Sequence, residues 1–238
     1  PSWLVEERDA CGVGFIADQA GHASHNLVAQ ALKALTCMEH RGGCSADRDS
    51  GDGAGLMTAI PWQLLQESIP GIDPSVCAAG TIFLPQQLER RAICIEITER
   101  CAAEEGLSLV GWRQVPVKPE TLGIQAKATQ PHMAQVVFQA PHLRDDALER
   151  AIYITRRRIK IEIRRRHPEW HAEFYIASLS NRTMIYKGLV RSAVLGEFYE
   201  DLRNPSYITP FALYHRRFST NTMPKWPLAQ PMRFLGHN

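Results

Sequence analysis

The chain reads as a mixed α/β domain, with strands and helices alternating along its length. Three observations carry this reading: short apolar runs at 12–17, 77–84 and 132–139, long helical periodicities at 86–105 and 145–167, and glycine- or proline-rich connections between them. The 238 residues suffice for one substantial core or two small ones. A hydrophobic fraction of 45% beside 22% charged residues is ordinary for a soluble globular protein. No internal repeat or low-complexity tract interrupts the pattern.

Taken in order, glycines alternating with apolar residues make 12–17 a buried first strand, and Leu27, Val28, Ala31, Leu32 and Leu35 line one side of a helix over 26–38. Residues 40–54, rich in glycine, aspartate and serine, form a loop that leads into a strand at 56–60. Strand 77–84, helix 86–105, strand 107–115 and strand 132–139 follow, with 116–131 an irregular connection marked out by Pro116, Pro119 and Pro131. Leu148, Ile152, Ile159 and Ile163, at spacings of four, seven and four, give the segment 145–167 one apolar helical face. Strands at 174–178 and 184–187 are expected to meet as a hairpin at Ser180-Asn181-Arg182. A short helix over 191–202 and a strand over 211–219 complete the series.

Charge excludes little, since the formal net value is only +2. The cations Arg156, Arg157, Arg158, Lys160, Arg164, Arg165 and Arg166 are crowded together, yet no aromatic residue is interleaved among them to stack on bases. They read as the solvated side of a helix, so no nucleic-acid partner is expected. No apolar run approaches the roughly 20 residues that span a bilayer, and no basic-then-apolar signal opens the chain. The expectation is a soluble protein of the cell interior with no membrane partner. Six cysteines, Cys11, Cys37, Cys44, Cys77, Cys94 and Cys101, include no Cys-x-x-Cys pair, so neither a zinc nor an iron–sulfur ligand set is present; the five besides Cys11 read as structural thiols. Asp47, Asp49 and Asp52 lack the downstream glutamate of a calcium loop, and no metal is called for. Gly51-Asp52-Gly53-Ala54-Gly55 leads into a strand rather than a helix, which rules out a phosphate cradle.

The reactive candidate is Cys11, at the head of Cys11-Gly12-Val13-Gly14-Phe15-Ile16-Ala17. Met38-Glu39-His40-Arg41-Gly42-Gly43 follows, then the glycine-rich 51–55, then His215-Arg216-Arg217-Phe218-Ser219-Thr220-Asn221-Thr222, and finally Gly236-His237-Asn238. In this order and spacing the segments resemble the class II glutamine amidotransferase domain of glutamate synthase, an N-terminal nucleophile hydrolase, over essentially the whole chain. The resemblance implies a four-layer αββα sandwich in which 11–238 is the amidotransferase domain and 1–10 a polar leader removed between Ala10 and Cys11. Removal matters because an α-amine, with a pKa of roughly 7.7–8.0, takes the thiol proton near neutral pH, whereas an amide nitrogen cannot.

The resemblance also implies the other roles. Cys11 attacks the side-chain amide of glutamine, Arg217 grips the substrate α-carboxylate, Thr220 and Asn221 complete the pocket, and Asn238 polarises the oxyanion. Arg216 is the rival to Arg217, since strand neighbours face opposite sides. Arg41 belongs to the loop over the nucleophile, as a structural residue sooner than a substrate ligand. A glycine N–H and an aspartate are expected beyond Asn238, so the chain reads as an incomplete and inactive piece of its domain. FMN, an iron–sulfur cluster and the reduction of 2-oxoglutarate belong to a synthase domain of the same polypeptide. The segments 199–210 and 215–231 resemble the ferredoxin-dependent type slightly more than the pyridine-nucleotide type, so ferredoxin or a reductase subunit is the expected partner of the full-length protein; the expected setting is the cytoplasm, or the plastid stroma in a photosynthetic eukaryote. The alternatives are an amidotransferase serving a sugar phosphate or phosphoribosyl pyrophosphate, and a non-catalytic module whose cysteine stays unprocessed.

Overall fold

A computed structural model of the chain describes residues 12–41, 47, 49–170, 173–217 and 223–232. Its described strands form two four-stranded antiparallel sheets. The first holds β1 (Gly12–Ala17), β8 (Phe211–Arg216), β2 (Ala54–Ala59) and β7 (Thr183–Gly188), in that order. The second runs β4 (Ser108–Gln114), β5 (His132–Gln139), β3 (Cys77–Leu84), β6 (Tyr175–Ile176). Mixed helices and strands around two antiparallel sheets are consistent with the α/β sandwich of an N-terminal nucleophile hydrolase.

The near-continuous apolar character of β3 and β5 follows from burial on both faces. Cys77, Ala79 and Phe83 with Met133 and Val137 face the first sheet, while Ala78, Ile82 and Leu84 with Ala134, Val136 and Phe138 face a helical layer. That layer is α3 (Leu88–Glu104) against α5 (Asp145–Arg166), whose Leu148, Ile152, Ile159 and Ile163 are all buried. Helix α1 (His25–Cys37) starts where Ser24 Oγ accepts the Leu27 N–H at 3.4 Å, and packs along β8 and β1 through Leu27, Val28, Ala31 and Leu35. A short α2 (Trp62–Ser68) precedes β3. Between the sheets a polar network replaces part of the apolar core. Tyr186 Oη accepts from Gln135 Nε2 and donates to Asp201 Oδ2, both at 2.7 Å, and Arg113 Nη2 holds both Asp201 oxygens at 2.6 Å. Burial and the neighbouring Asp201 carboxylate push the Tyr186 phenol pKa far up, so it remains a donor.

Three expectations need correction. The strands around Ser180-Asn181-Arg182 are not a hairpin: β6 pairs with β3 in the second sheet, whereas β7 pairs with β2 in the first. The chain crosses between sheets there, and Ser178 Oγ accepts N–H groups from Thr81 at 3.2 Å and Ile185 at 3.1 Å, one in each sheet. The helix expected over 191–202 is reduced to α6 (Leu195–Phe198) and a 3₁₀ turn (Glu200–Arg203), because Phe198 O and the Glu200 N–H bond to Lys118 N–H and Pro116 O instead. The connection 116–131 contains its own short helix, α4 (Ile124–Ala128). Among the described residues no helix is long and apolar enough to cross a membrane.

Candidate active site

One end of the first sheet gathers the segments singled out in the sequence. Gly12, which follows Cys11, and Ala54, which ends the glycine-rich loop, both pair with Arg216. Alternation along β8 sets Arg216 on the same inward face as Ala212 and Tyr214, so a guanidinium ends up fully buried. Such a group has to be neutralised and hydrogen-bonded in place. Nη1 donates to Asp52 Oδ1 and, at 2.9 Å, to Gly53 O, and Nη2 lies 3.5 Å from Glu39 Oε1. Arg216 therefore ties together β1, β2, β8 and the turn after α1.

Arg217 behaves differently. Its φ is +110°, a region that L side chains rarely adopt and that costs about 1–3 kcal/mol. Two backbone bonds hold it there: its N–H donates to Gly53 O at 2.7 Å, and its carbonyl accepts the Gln230 N–H at 3.2 Å. Strand β8 ends at this residue's predecessor, short of the 219 expected. The Arg217 side chain is 19% exposed and its Nε lies 3.7 Å from Asp52 Oδ2, so one carboxylate faces both arginines. Of the rivals, Arg216 has a structural task and Arg217 has the strained, partly open position.

Described residues of the loop before β2 are tied together by hydrogen bonds. Asp47 accepts from the Asp49 and Ser50 N–H groups and from Ser50 Oγ, the last at 2.6 Å, and the Ser50 hydroxyl leads the causes that lower the Asp47 pKa well below the carboxylate range. Asp49 meets Arg191 at 3.1 Å, so all three aspartates considered for a metal loop are engaged with protein groups. Gly53 takes φ +136°, and a Cβ on Gly55 would meet Gln230 O at 2.4 Å. Only glycine allows the 229–231 segment to lie so close. Beside them, burial lowers the pKa of His215 to about 4, keeping its ring neutral at physiological pH.

The model of the class II glutamine amidotransferases matches residues 11–238. The chain belongs to the class II glutamine amidotransferases. It is 55% identical over 242 aligned positions to ferredoxin-dependent glutamate synthase 2 of Synechocystis sp., which covers 99% of this chain and 15% of that protein. Ferredoxin-dependent glutamate synthase of Pyropia yezoensis is 53% identical, covering 99% and 16%, and ferredoxin-dependent glutamate synthase 2, chloroplastic, of Arabidopsis thaliana is 48% identical, covering 99% and 15%. The amidotransferase chain thus spans about 15% of the length of these curated relatives.

Of the site residues expected from the sequence, Arg217 is described in full. Cys11, Thr220, Asn221 and Asn238 lie outside the described residues, as does the leader 1–10. Arg41 closes a 3₁₀ turn (Glu39–Arg41), and its side chain lies outside the described set. Sequence reasoning missed Asp52 and Glu39 as partners of this amidotransferase's buried arginine. The signal was an arginine in register with the inward Ala212 and Tyr214, since such a residue requires a carboxylate nearby. Of the other cysteines, Cys77, Cys94 and Cys101 are buried and Cys37 is exposed. Burial raises all three buried thiols, Cys94 to about 11, which leaves them poor nucleophiles.

Proposed function

We propose that this chain carries the glutaminase half-reaction of a glutamate synthase. The observation that supports it most is the meeting, at one sheet end, of the residue after Cys11, the glycine-rich loop and the Arg216-Arg217 pair. The Cys11 α-amine, freed by removal of residues 1–10, takes the thiol proton, and the sulfur adds to the amide carbon of glutamine. Asn238 donates to the oxyanion, worth about 2.7–4 kcal/mol for a donor of this kind. As the tetrahedral adduct collapses, the C–N bond breaks, the ammonium of Cys11 returns its proton to nitrogen, and ammonia leaves a thioester. Water then adds, the amine accepts its proton, and glutamate departs with the thiol restored. Arg217 holds the substrate α-carboxylate as a paired donor, with Thr220 and Asn221 beside it.

Ammonia passes to a synthase domain of the same polypeptide that acts on 2-oxoglutarate, where FMN and an iron–sulfur cluster belong. Ferredoxin as electron donor is supported by the names of the relatives, and a plastid or cyanobacterial setting by the sources of some of them. Among the described residues no group of three or more histidine, cysteine or acidic side chains could hold a metal. An electrophilic glutamine analogue tests the reading on full-length protein. Labelling at Cys11 only in the trimmed form is the expected result, and preferential labelling of Cys37 or Cys44 would overturn it.

The strained backbone separates binding from folding at Arg217. Arg217→Gly relieves the +110° φ and is expected to raise stability by about 1 kcal/mol, net of glycine's entropy, while raising KM for glutamine about tenfold or more. Thermal unfolding and steady-state kinetics read the two effects separately. A destabilised variant with unchanged KM would assign Arg217 to the fold and not to the substrate.

A further inference from the structure

The basic residues of α5 from Arg156 to Arg166 divide into two sets. Arg158 pairs with Glu104 at 3.1 Å and with Glu105, and Arg165 and Arg166 both pair with Glu162, which also holds Arg100 at 3.0 Å. The sequence led one to expect all seven on the solvated side of the helix, and these three are solvated and also salt-bridged. Arg156, Arg157, Lys160 and Arg164 have no carboxylate partner among the described residues, and all four line one cavity of about 530 Å³. Among the described residues no acidic side chain is part of its wall.

The cavity is built as a site rather than left as a gap. Arg156 is pressed against the sheet edge, its Nη2 donating to Ile176 O at 3.1 Å, and burial lowers its pKa. Tyr153 and Tyr175 add two phenol rings, and Phe174, Pro227 and Leu228 close the apolar side. Behind Tyr175 lies the fully buried Lys187, whose pKa burial and the Arg156 charge lower to about 7: its Nζ donates to Pro227 O at 2.8 Å and to Tyr175 Oη at 3.3 Å, and sits 4.7 Å from the Tyr175 ring centre. Four cations around one concave space, with no carboxylate partner among the described residues, are mutually repulsive without an anion.

We infer that this cavity binds a small organic polyanion that joins two or more phosphates to a flat ring, the chemistry of a nucleoside di- or triphosphate. Positions 156, 160 and 164 rise by about 6 Å per step, ~12 Å in all, so the cations form a row suited to a chain of phosphates and not to one isolated anion. The two tyrosines supply a face for a ring at the end of the row near Arg156. The volume lies within the usual span of small-molecule sites. A finite concave space with a closed apolar wall favours such a ligand over a nucleic-acid strand, which needs an open track.

The test uses full-length protein titrated with ATP, inorganic tripolyphosphate, adenosine and a short single-stranded RNA. ATP is expected to bind saturably, tripolyphosphate more weakly, and adenosine not at all. Arg157 and Arg164 are exposed, so Arg157→Gln/Arg164→Gln leaves the fold intact and should weaken ATP binding about tenfold or more. The matching variant of the salt-bridged set, Arg165→Gln/Arg166→Gln, should change it less than about twofold. Absence of ATP binding sensitive to the first variant, equal losses in both variants, or tighter binding of the RNA than of ATP would each overturn the assignment.

Discussion

Cys11→Ala lowers the rate of glutamine hydrolysis by about 10⁴-fold or more, because it removes the only group proposed to form a covalent bond to substrate. Cys77, Cys94 and Cys101 cannot readily stand in for it, being buried with raised pKa values. Blocking the amine while keeping the thiol gives a second, independent form of the same prediction. A variant that cannot shed residues 1–10 keeps Cys11 in an amide, loses the base, and should fall by about 10²–10⁴-fold, the range of a positioned general base. In the trimmed enzyme kcat/KM should rise with pH through the α-amine range, roughly 7.7–8.0 before any perturbation. The untrimmed variant should lack that limb. Ammonia release measured across pH on all three proteins checks this, and undiminished release from Cys11→Ala would end the thioester mechanism.

What the sequence revealed depended on how local the cause was. Strands β1, β3 and β5 begin and end where expected, since each is bounded by turn residues and its apolar pattern is set by one or two buried faces. Helix α5 was legible for the same reason. The apparent hairpin at 180–182 failed because a turn signature says that the chain reverses, and not which sheet receives it. Hydroxyls at Ser178 and Ser180 serve backbone groups across the gap there, with Ser180 Oγ accepting the Arg182 N–H at 3.0 Å. The helix at 191–202 was lost to partners more than 70 residues away in sequence, which no local propensity could report. At the site, the paired arginines were visible but their division of labour was not. Alternation put them on opposite faces, and only the position of Asp52 shows which one is locked in the core. The basic run was half legible: its periodicity marked the buried face correctly, while the lack of carboxylates beside 156, 157, 160 and 164 among the described residues required the fold.

Asp52→Ala is expected to destabilise the first sheet by about 3–5 kcal/mol, the cost of leaving a buried charge without its counter-ion. The side chain of Arg216 is 0% exposed, so it cannot recover water when Asp52 is cut back. Gly53 O remains at 2.9 Å and Glu39 at 3.5 Å, which limits the loss without cancelling it. Arg216→Met should cost less. The carboxylate it abandons is 10% exposed and still has Arg217 Nε at 3.7 Å, so it can rotate toward that cation and toward water. The two changes are therefore strongly non-additive, with the double variant close to Arg216→Met alone and a coupling of about 2 kcal/mol or more. Hydrogen exchange of the β2 and β8 amides in full-length protein reads these differences directly, because both strands flank the pair. Additive losses would mean that Arg216 draws its neutralisation from elsewhere. The same experiment bears on catalysis: Asp52 also faces Arg217, so the Asp52→Ala variant removes a carboxylate from beside Arg217 and should raise KM for glutamine together with the loss of stability. Arg216→Met, which leaves Asp52 to Arg217, should lose stability with a smaller change in KM.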